Sequence, residues 1–250
     1  MKNKRAIPDS KKKLQRISYM KTMESLAPIK PQDTALPLGL EKGNGKTGSC
    51  GKAFDRILVW NLPPVITCPG MSEWCKSNCY NADDRCDIFP IDRWCENLWW
   101  VINDKSSLKN RILSQLSECE TISIAVRIHS SGDFYSKEYI NFWIDIIQNN
   151  PNILFWAYTR SWAVQELTED ILKLGSLDNI SLILSWDKTM QKPLEGFPKS
   201  IVFDSNEEII YALTKEGGTV CPEQYNLISG CADCGLCINK SKKDIYFILH

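Results

Sequence analysis

The sequence predicts an α/β fold: a partial (open) parallel β/α barrel with an N-terminal arm and a C-terminal cysteine-rich metal knuckle. Three observations lead there. Between residues 121 and 215, short β-branched apolar runs alternate with amphipathic helical stretches, and parallel strands need helix-length crossovers to join them. The runs are apolar almost throughout, as in strands covered on both faces. The 11 cysteines crowd into clusters instead of spreading evenly.

The 250 residues are 43% hydrophobic, enough for one sizeable core. Formal net charge is zero, so no global field selects nucleic acid or a membrane surface. No apolar stretch reaches the roughly 18 residues of a spanning helix. The charged N-terminus has no apolar segment behind it, unlike a secretory signal. The expected setting is therefore the cytoplasm, with no membrane partner. Thiols stay reduced there, so clustered cysteines point to metal more than to disulfides.

Residues 1–50 read as an arm. Lys2, Lys4, Arg5, Lys11, Lys12, Lys13, Arg16, Lys21 and Lys30 stand there against Asp9 and Glu24, a basic tail that either touches phosphates or is simply solvated. Gly43-Asn44-Gly45-Lys46-Thr47-Gly48 resembles part of a phosphate-cradling loop without its full spacing or a preceding strand. It is expected instead to pack over the cysteine site, with Cys50 close by.

Residues 51–216 read as the barrel core. A strand over 56–66 stops at Pro63-Pro64, and a three-cysteine loop follows. Residues 92–118 form one or two helices. A strand at 121–129 leads to a helix at 136–149, with Ser136 as N-cap and Asn149-Asn150-Pro151 as its stop. A strand at 152–159 precedes a helix at 163–174 closed by Gly175. Strands at 180–186 and 200–204 and a helix over Asn206–Lys215 complete the core. Residues 217–250 form a four-cysteine metal-binding segment whose tail ends in a strand-like apolar run.

In parallel α/β folds ligands bind at the carboxyl ends of strands. The sequence places Cys68, Cys75 and Cys79 after the first strand and His129, Ser130, Ser131, Gly132 and Asp133 after the second. Thr159, Arg160 and Ser161 follow the third, Ser185 and Asp187 the fourth, and Asp204 and Ser205 the fifth. Asp133, His129 and Arg160 are the candidates for catalysis. Gly132, Asp133, Ser131, Ser185 and Asp187 are the candidates for cofactor binding. Asp133 either accepts hydrogen bonds from a ligand or caps a helix. His129 is either a ligand or a satisfied core histidine. Arg160 grips a carboxylate or phosphate, or forms an ion pair. The nine tryptophans fit core packing better than base stacking.

Cys68-x6-Cys75-x3-Cys79 offers three thiolates, which leave one position open on a [4Fe–4S] cluster or on zinc. Zinc closed by Cys50, Cys86 or Cys95, and plain buried thiols, are the other readings. Cys221 with Cys231-x2-Cys234-x2-Cys237 offers four, enough for a second cluster or for structural zinc. The tight run favours the cluster, because four-cysteine zinc more often uses two separated C-x2-C pairs.

These motifs, G-N-G-K-T-G, T-C-P with C-x3-C-Y, V-R-I-H-S-S-G-D-F, F-W-A-Y-T-R-S, and C-P with C-A-D-C-G-L-C, together resemble the phage gene product 88 family over roughly residues 43 to 238. That resemblance implies a phage-infected or prophage-carrying bacterial cell. The layout also resembles radical S-adenosylmethionine enzymes, although their usual cysteine spacing is three and two residues. That likeness implies an open cluster on Cys68, Cys75 and Cys79, and S-adenosylmethionine held by Gly132 and Asp133. It also implies an auxiliary cluster on Cys221, Cys231, Cys234 and Cys237. The partners it implies are a small-molecule or nucleic-acid substrate and a reductant such as ferredoxin or flavodoxin. The alternative is a non-enzymatic zinc or iron–sulfur metalloprotein that binds nucleic acid through its basic arm.

Overall fold

The structure, a computed structural model, describes residues 20–31, 36–43, 46–82, 90–118 and 122–249. Most of the basic arm, Asn44, Gly45, Cys86 and Cys119 lie outside the described residues.

One eight-stranded sheet takes strands from all three sequence segments. They are β1 (Glu41–Lys42), β2 (Arg56–Trp60), β3 (Ile124–Ile128), β4 (Leu154–Thr159), β5 (Ile180–Trp186), β6 (Lys199–Phe203), β7 (Thr219–Val220) and β8 (Ile245–Ile248). Their order is β1-β2-β3-β4-β5-β6-β8-β7. β2 to β8 run parallel to their neighbours, and only β1 is antiparallel. The sheet is open, with a two-residue strand at each edge. The strand-like tail thus becomes β8, one more long parallel strand than the five read before residue 217.

The helices around the site are, in chain order, α1 (Glu73–Ser77), α2 (Ile91–Asn103), α3 (Lys105–Ser117), α4 (Lys137–Gln148), α5 (Thr168–Gly175), α6 (Asn206–Lys215) and α7 (Cys231–Cys234). The stretch 92–118 is two helices because Asp104 interrupts it and caps the second, accepting from Ser107 N at 3.0 Å. Ser136 caps α4, accepting from Tyr139 N at 3.2 Å. The expected helix over 163–174 begins instead as two 3-10 turns, Ser161–Ala163 and Gln165–Leu167. Gly175 is its last residue, and its lack of a side chain serves packing: a β-carbon there would come within 2.3 Å of Phe197. Among the described residues, no helix is long and apolar enough to cross a membrane.

The sheet has two unlike faces. Leu58, Val126, Phe155 and Leu182 face α2 to α5, meeting Leu98, Leu108, Ile112, Trp143 and Ile171. Trp186, Ile201 and Tyr246 share a register line, and they pack with Ile209 and Ala212 of α6. The opposite face carries Ile57, Val59, Ala125, Trp156 and Ile183. It is covered by the C-terminal segment, through Cys221, Ala232, Cys237 and Ile238. The continuous apolar strands follow from this double cover.

Candidate functional site

The loop after β2 lies across three strand ends, and small residues let it come so close. Asn61 Oδ1 accepts from Ser130 N at 2.8 Å and Ser131 N at 3.0 Å, which fixes the turn after β3. β2 stops at Trp60, short of Pro63-Pro64, because Leu62 N already donates to Ser131 O within that turn. Gly132 has φ +80°, and a β-carbon on it would stand 2.7 Å from Leu62 Cβ and Thr67 Oγ1. On Gly70 a β-carbon would meet Arg160 O at 2.0 Å, so the loop rests directly on the end of β4. Ser72 Oγ donates to Asp187 Oδ2 at 2.7 Å, past the end of β5. The same oxygen accepts from Cys75 N at 3.0 Å and caps α1. Val65, a β-branched residue at φ +68°, holds the strained turn into Cys68.

Cys68, Cys75 and Cys79 sit within one another's electrostatic reach. Burial pushes the Cys68 thiol well above its ordinary value, and Asp133, Cys79 and Cys75 push the same way. Burial raises Cys75 to about 11; Arg160 opposes this, while Cys79, Asp187 and Asp133 add to it. A thiolate on any one of them discourages the others from ionising, so the all-thiolate form of this set calls for added positive charge.

The polar residues predicted beside the loop divide into two groups. Asp133, Arg160 and Asp187 stand near the thiols. Asp133 is filled by its own chain: it accepts from Thr159 Oγ1 at 2.6 Å, Phe134 N at 2.7 Å and Arg160 N at 2.8 Å. Burial raises its carboxyl despite these bonds. Arg160 Nη1 donates to Asp187 Oδ2 at 2.5 Å and to Met190 Sδ at 2.8 Å. Burial opposes ionisation of Asp187, but Thr189, Ser72 and Arg160 outweigh it and hold the carboxyl below its usual value.

The second group points elsewhere. His129 Nε2 meets Tyr139 Oη at 2.8 Å in the helix-side core, and its ring stands edge-on to Phe134. Ser185 Oγ accepts from Ser200 Oγ at 3.1 Å. Ser130 Oγ and Ser131 Oγ are buried with no hydrogen-bond partner among the described residues, while Ser130 O accepts from Tyr80 Oη beside Cys79.

The second set of thiols lies under the opposite face. Cys221, Cys231, Cys234 and Cys237 line one small cavity of about 20 Å3. Burial raises Cys237 to about 12, against a hydrogen bond from Tyr158, and the other three cysteines push the same way as burial. The glycine-rich loop grips α7 with carbonyls, not with the N–H groups a phosphate needs. Lys46 O accepts from Cys231 N at 3.2 Å and Thr47 O from Ala232 N at 2.9 Å. Cys50 is exposed in the loop beside it. Cys95 is a packing residue within α2, pushed to about 11 by burial.

Among the described residues, no group of three or more His, Cys, Asp or Glu side chains is drawn into a geometry that could hold a metal ion. The donor set nonetheless fits a soft metal centre by type, being thiols at both places. Asn61, Gly70 and Ser72, which place the first loop, were not among the sequence candidates. Their signal is slight: an asparagine before Leu-Pro-Pro, and small residues between cysteines.

The family model for "Gene product 88" matches residues 38–240. The "Gene 88 protein" of Mycobacterium phage L5 is 24% identical over 211 residues, covering 73% of this chain and 82% of the relative. The "Gene 88 protein" of Mycobacterium phage D29 is 26% identical over 200 residues, covering 72% and 82%. No solved structure matches the chain significantly. With a family model spanning most of its length, the chain belongs to the gene product 88 family of phage proteins.

Proposed function

We propose that the chain is an iron–sulfur protein of radical-S-adenosylmethionine-like type, with its sheet acting as a partial β/α barrel. Cys68, Cys75 and Cys79 would hold a [4Fe–4S] cluster with one iron open, and Cys221, Cys231, Cys234 and Cys237 would hold a second. The observation that carries this reading is the seating of a three-thiol loop on the ends of β3, β4 and β5. That edge is where parallel α/β proteins bind their ligands.

A cluster held by Cys68, Cys75 and Cys79 would leave a position for S-adenosylmethionine and would supply the reducing electron for its cleavage. The chain's own residues have narrower tasks. Gly132 keeps the turn after β3 tight under Leu62 and Thr67. Asp133 ties that turn to β4 and holds it beside Cys68. Arg160 lowers the cost of ionising Cys75.

Anaerobic purification, with iron, sulfide and zinc quantified, tests the reading. About four to eight irons per chain, matching sulfide and a broad visible absorbance are expected for one or two cubane clusters. Reductant-dependent cleavage of S-adenosylmethionine should follow, and Cys75→Ala should abolish it. A colourless protein holding zinc alone would replace this reading with that of a structural metalloprotein. Salt-sensitive nucleic-acid binding by residues 1–30 would then be the next assay.

A further inference from the structure

We propose that Tyr158, backed by Arg127, is a positioning residue for the second cysteine site. Its hydroxyl holds Cys237 Sγ and draws charge from it, which strengthens metal retention there and raises the reduction potential if the centre is a cluster. The inference rests on the reading of Cys221, Cys231, Cys234 and Cys237 as ligands of one centre.

The geometry starts on the inner face of the sheet, the one that the C-terminal segment covers. Tyr158 of β4 pairs with Ile183 of β5, and both belong to the cluster beneath the C-terminal segment. Tyr158 Oη donates to Cys237 Sγ at 2.8 Å, a short contact for a sulfur acceptor. Phe247 stands edge-on to its ring at 6.2 Å between centroids and limits its swing. The Arg127 guanidinium lies 5.6 Å from the ring centroid. A cation over a phenol ring draws electron density from the hydroxyl and makes it a stronger donor.

Arg127 itself needs an explanation. Its register neighbours are Val59 and Trp156, so it is a charge on an apolar face. Its Nε is buried without a hydrogen-bond partner among the described residues. A guanidinium in such a place is costly unless negative charge stands near it. Four thiolates around one centre outweigh the charge of a zinc ion and leave the site negative. A hydrogen-bond donor on β4, with a cation from the neighbouring β3 over its ring, thus faces the four-cysteine set. Partners of this kind, one shell beyond the ligands, set how firmly a metal is held and at what potential a cluster accepts an electron.

The test uses the full chain purified anaerobically as wild type, Tyr158→Phe, Arg127→Gln, the double variant Cys231→Ala/Cys234→Ala, and Tyr246→Phe. Tyr246 is another buried tyrosine, on β8, and serves as the control. Metal content is measured first, then retention against EDTA, then the midpoint potential of any cluster. Tyr158→Phe should carry the wild-type metal load as isolated but lose second-site metal about 10- to 100-fold more readily, with a lower midpoint potential. Arg127→Gln should move both readouts the same way, and Tyr246→Phe should move neither. Wild-type retention and potential in both Tyr158→Phe and Arg127→Gln would overturn the inference and leave the two-centre reading standing. Equal metal in wild type and in the Cys231→Ala/Cys234→Ala double variant would mean that the second site holds none, and both would fall together.

Discussion

His129 is the residue at which backbone and side chain are both constrained. Its φ of +69° crowds any residue that carries a Cβ. Burial, with Arg127 adding, holds its imidazole down to about 3. It therefore stays neutral, bonded to Tyr139 in the core, which suits support of the turn before Asp133. An unfolded chain would titrate this ring near pH 6.5. Above that value both states carry it neutral and it adds no pH dependence. Below it the unfolded chain binds a proton that the folded chain refuses, so stability falls by up to about 1.4 kcal/mol per pH unit until roughly pH 3. Asp133 acts in the opposite sense: its raised carboxyl favours the folded state at low pH and loses that contribution as pH rises through the raised value. Comparing wild type with His129→Asn separates the two, since Asp133 is common to both and asparagine tolerates positive φ. Urea unfolding at about pH 7, 6 and 5 should show a steeper loss in wild type than in the variant. Parallel slopes would mean that His129 ionises in the folded protein.

The loop from β2 to α1 works as an element because it is anchored at separated points along the sheet edge. Gly70→Ala would place a methyl group into Arg160 O, and the backbone there cannot give way cheaply. The expected cost is about 1–3 kcal/mol in urea unfolding. First-site metal should be lost, while the metal on Cys221, Cys231, Cys234 and Cys237 stays. Loss of metal from both sites in parallel would contradict separate anchoring. Local signals explain why the helices were legible: Ser136 and Ser205 each accept from a backbone N–H three residues on, and cap chemistry is written within one turn. The seating of the loop was not legible. Gly70 meets Arg160 and Ser72 meets Asp187 across some ninety residues or more of sequence, with no periodic pattern to mark them. The three thiols are visible by spacing, and His129 by its place at the end of a predicted strand. Its turn into the helix-side core depends on Tyr139, ten residues further along.

At the scale of the whole molecule, the two cysteine sets do different physical work. The apolar strands announced a sheet covered twice, but only helices on one side could be read from periodicity. The other cover is a segment with a single four-residue helix, α7, and few regular backbone bonds of its own. It rests on Ile57, Val59, Ala125, Trp156 and Ile183 and is held by the loop at 46–54 through Ala232, whose carbonyl accepts from Ala53 N and Phe54 N. A metal bound by its four cysteines would fold this segment as much as use it. The first loop, by contrast, crosses the strand ends, and its apolar contacts, Leu62 and Ile66, belong to the helix-side core and not to the C-terminal cover. Cys234→Ala should therefore expose the inner face, bind a hydrophobic dye, and lower the thermal midpoint by about 2–4 °C for each kcal/mol lost. Cys75→Ala should remove the first centre and leave dye binding and midpoint close to wild type. Both cysteines are partly exposed, so loss of the thiol alone is a small change at either position. A differential scan of the two variants with dye fluorescence reads the contrast directly. Equal midpoints would mean that the second set is no staple and that the C-terminal cover stands on apolar contact alone.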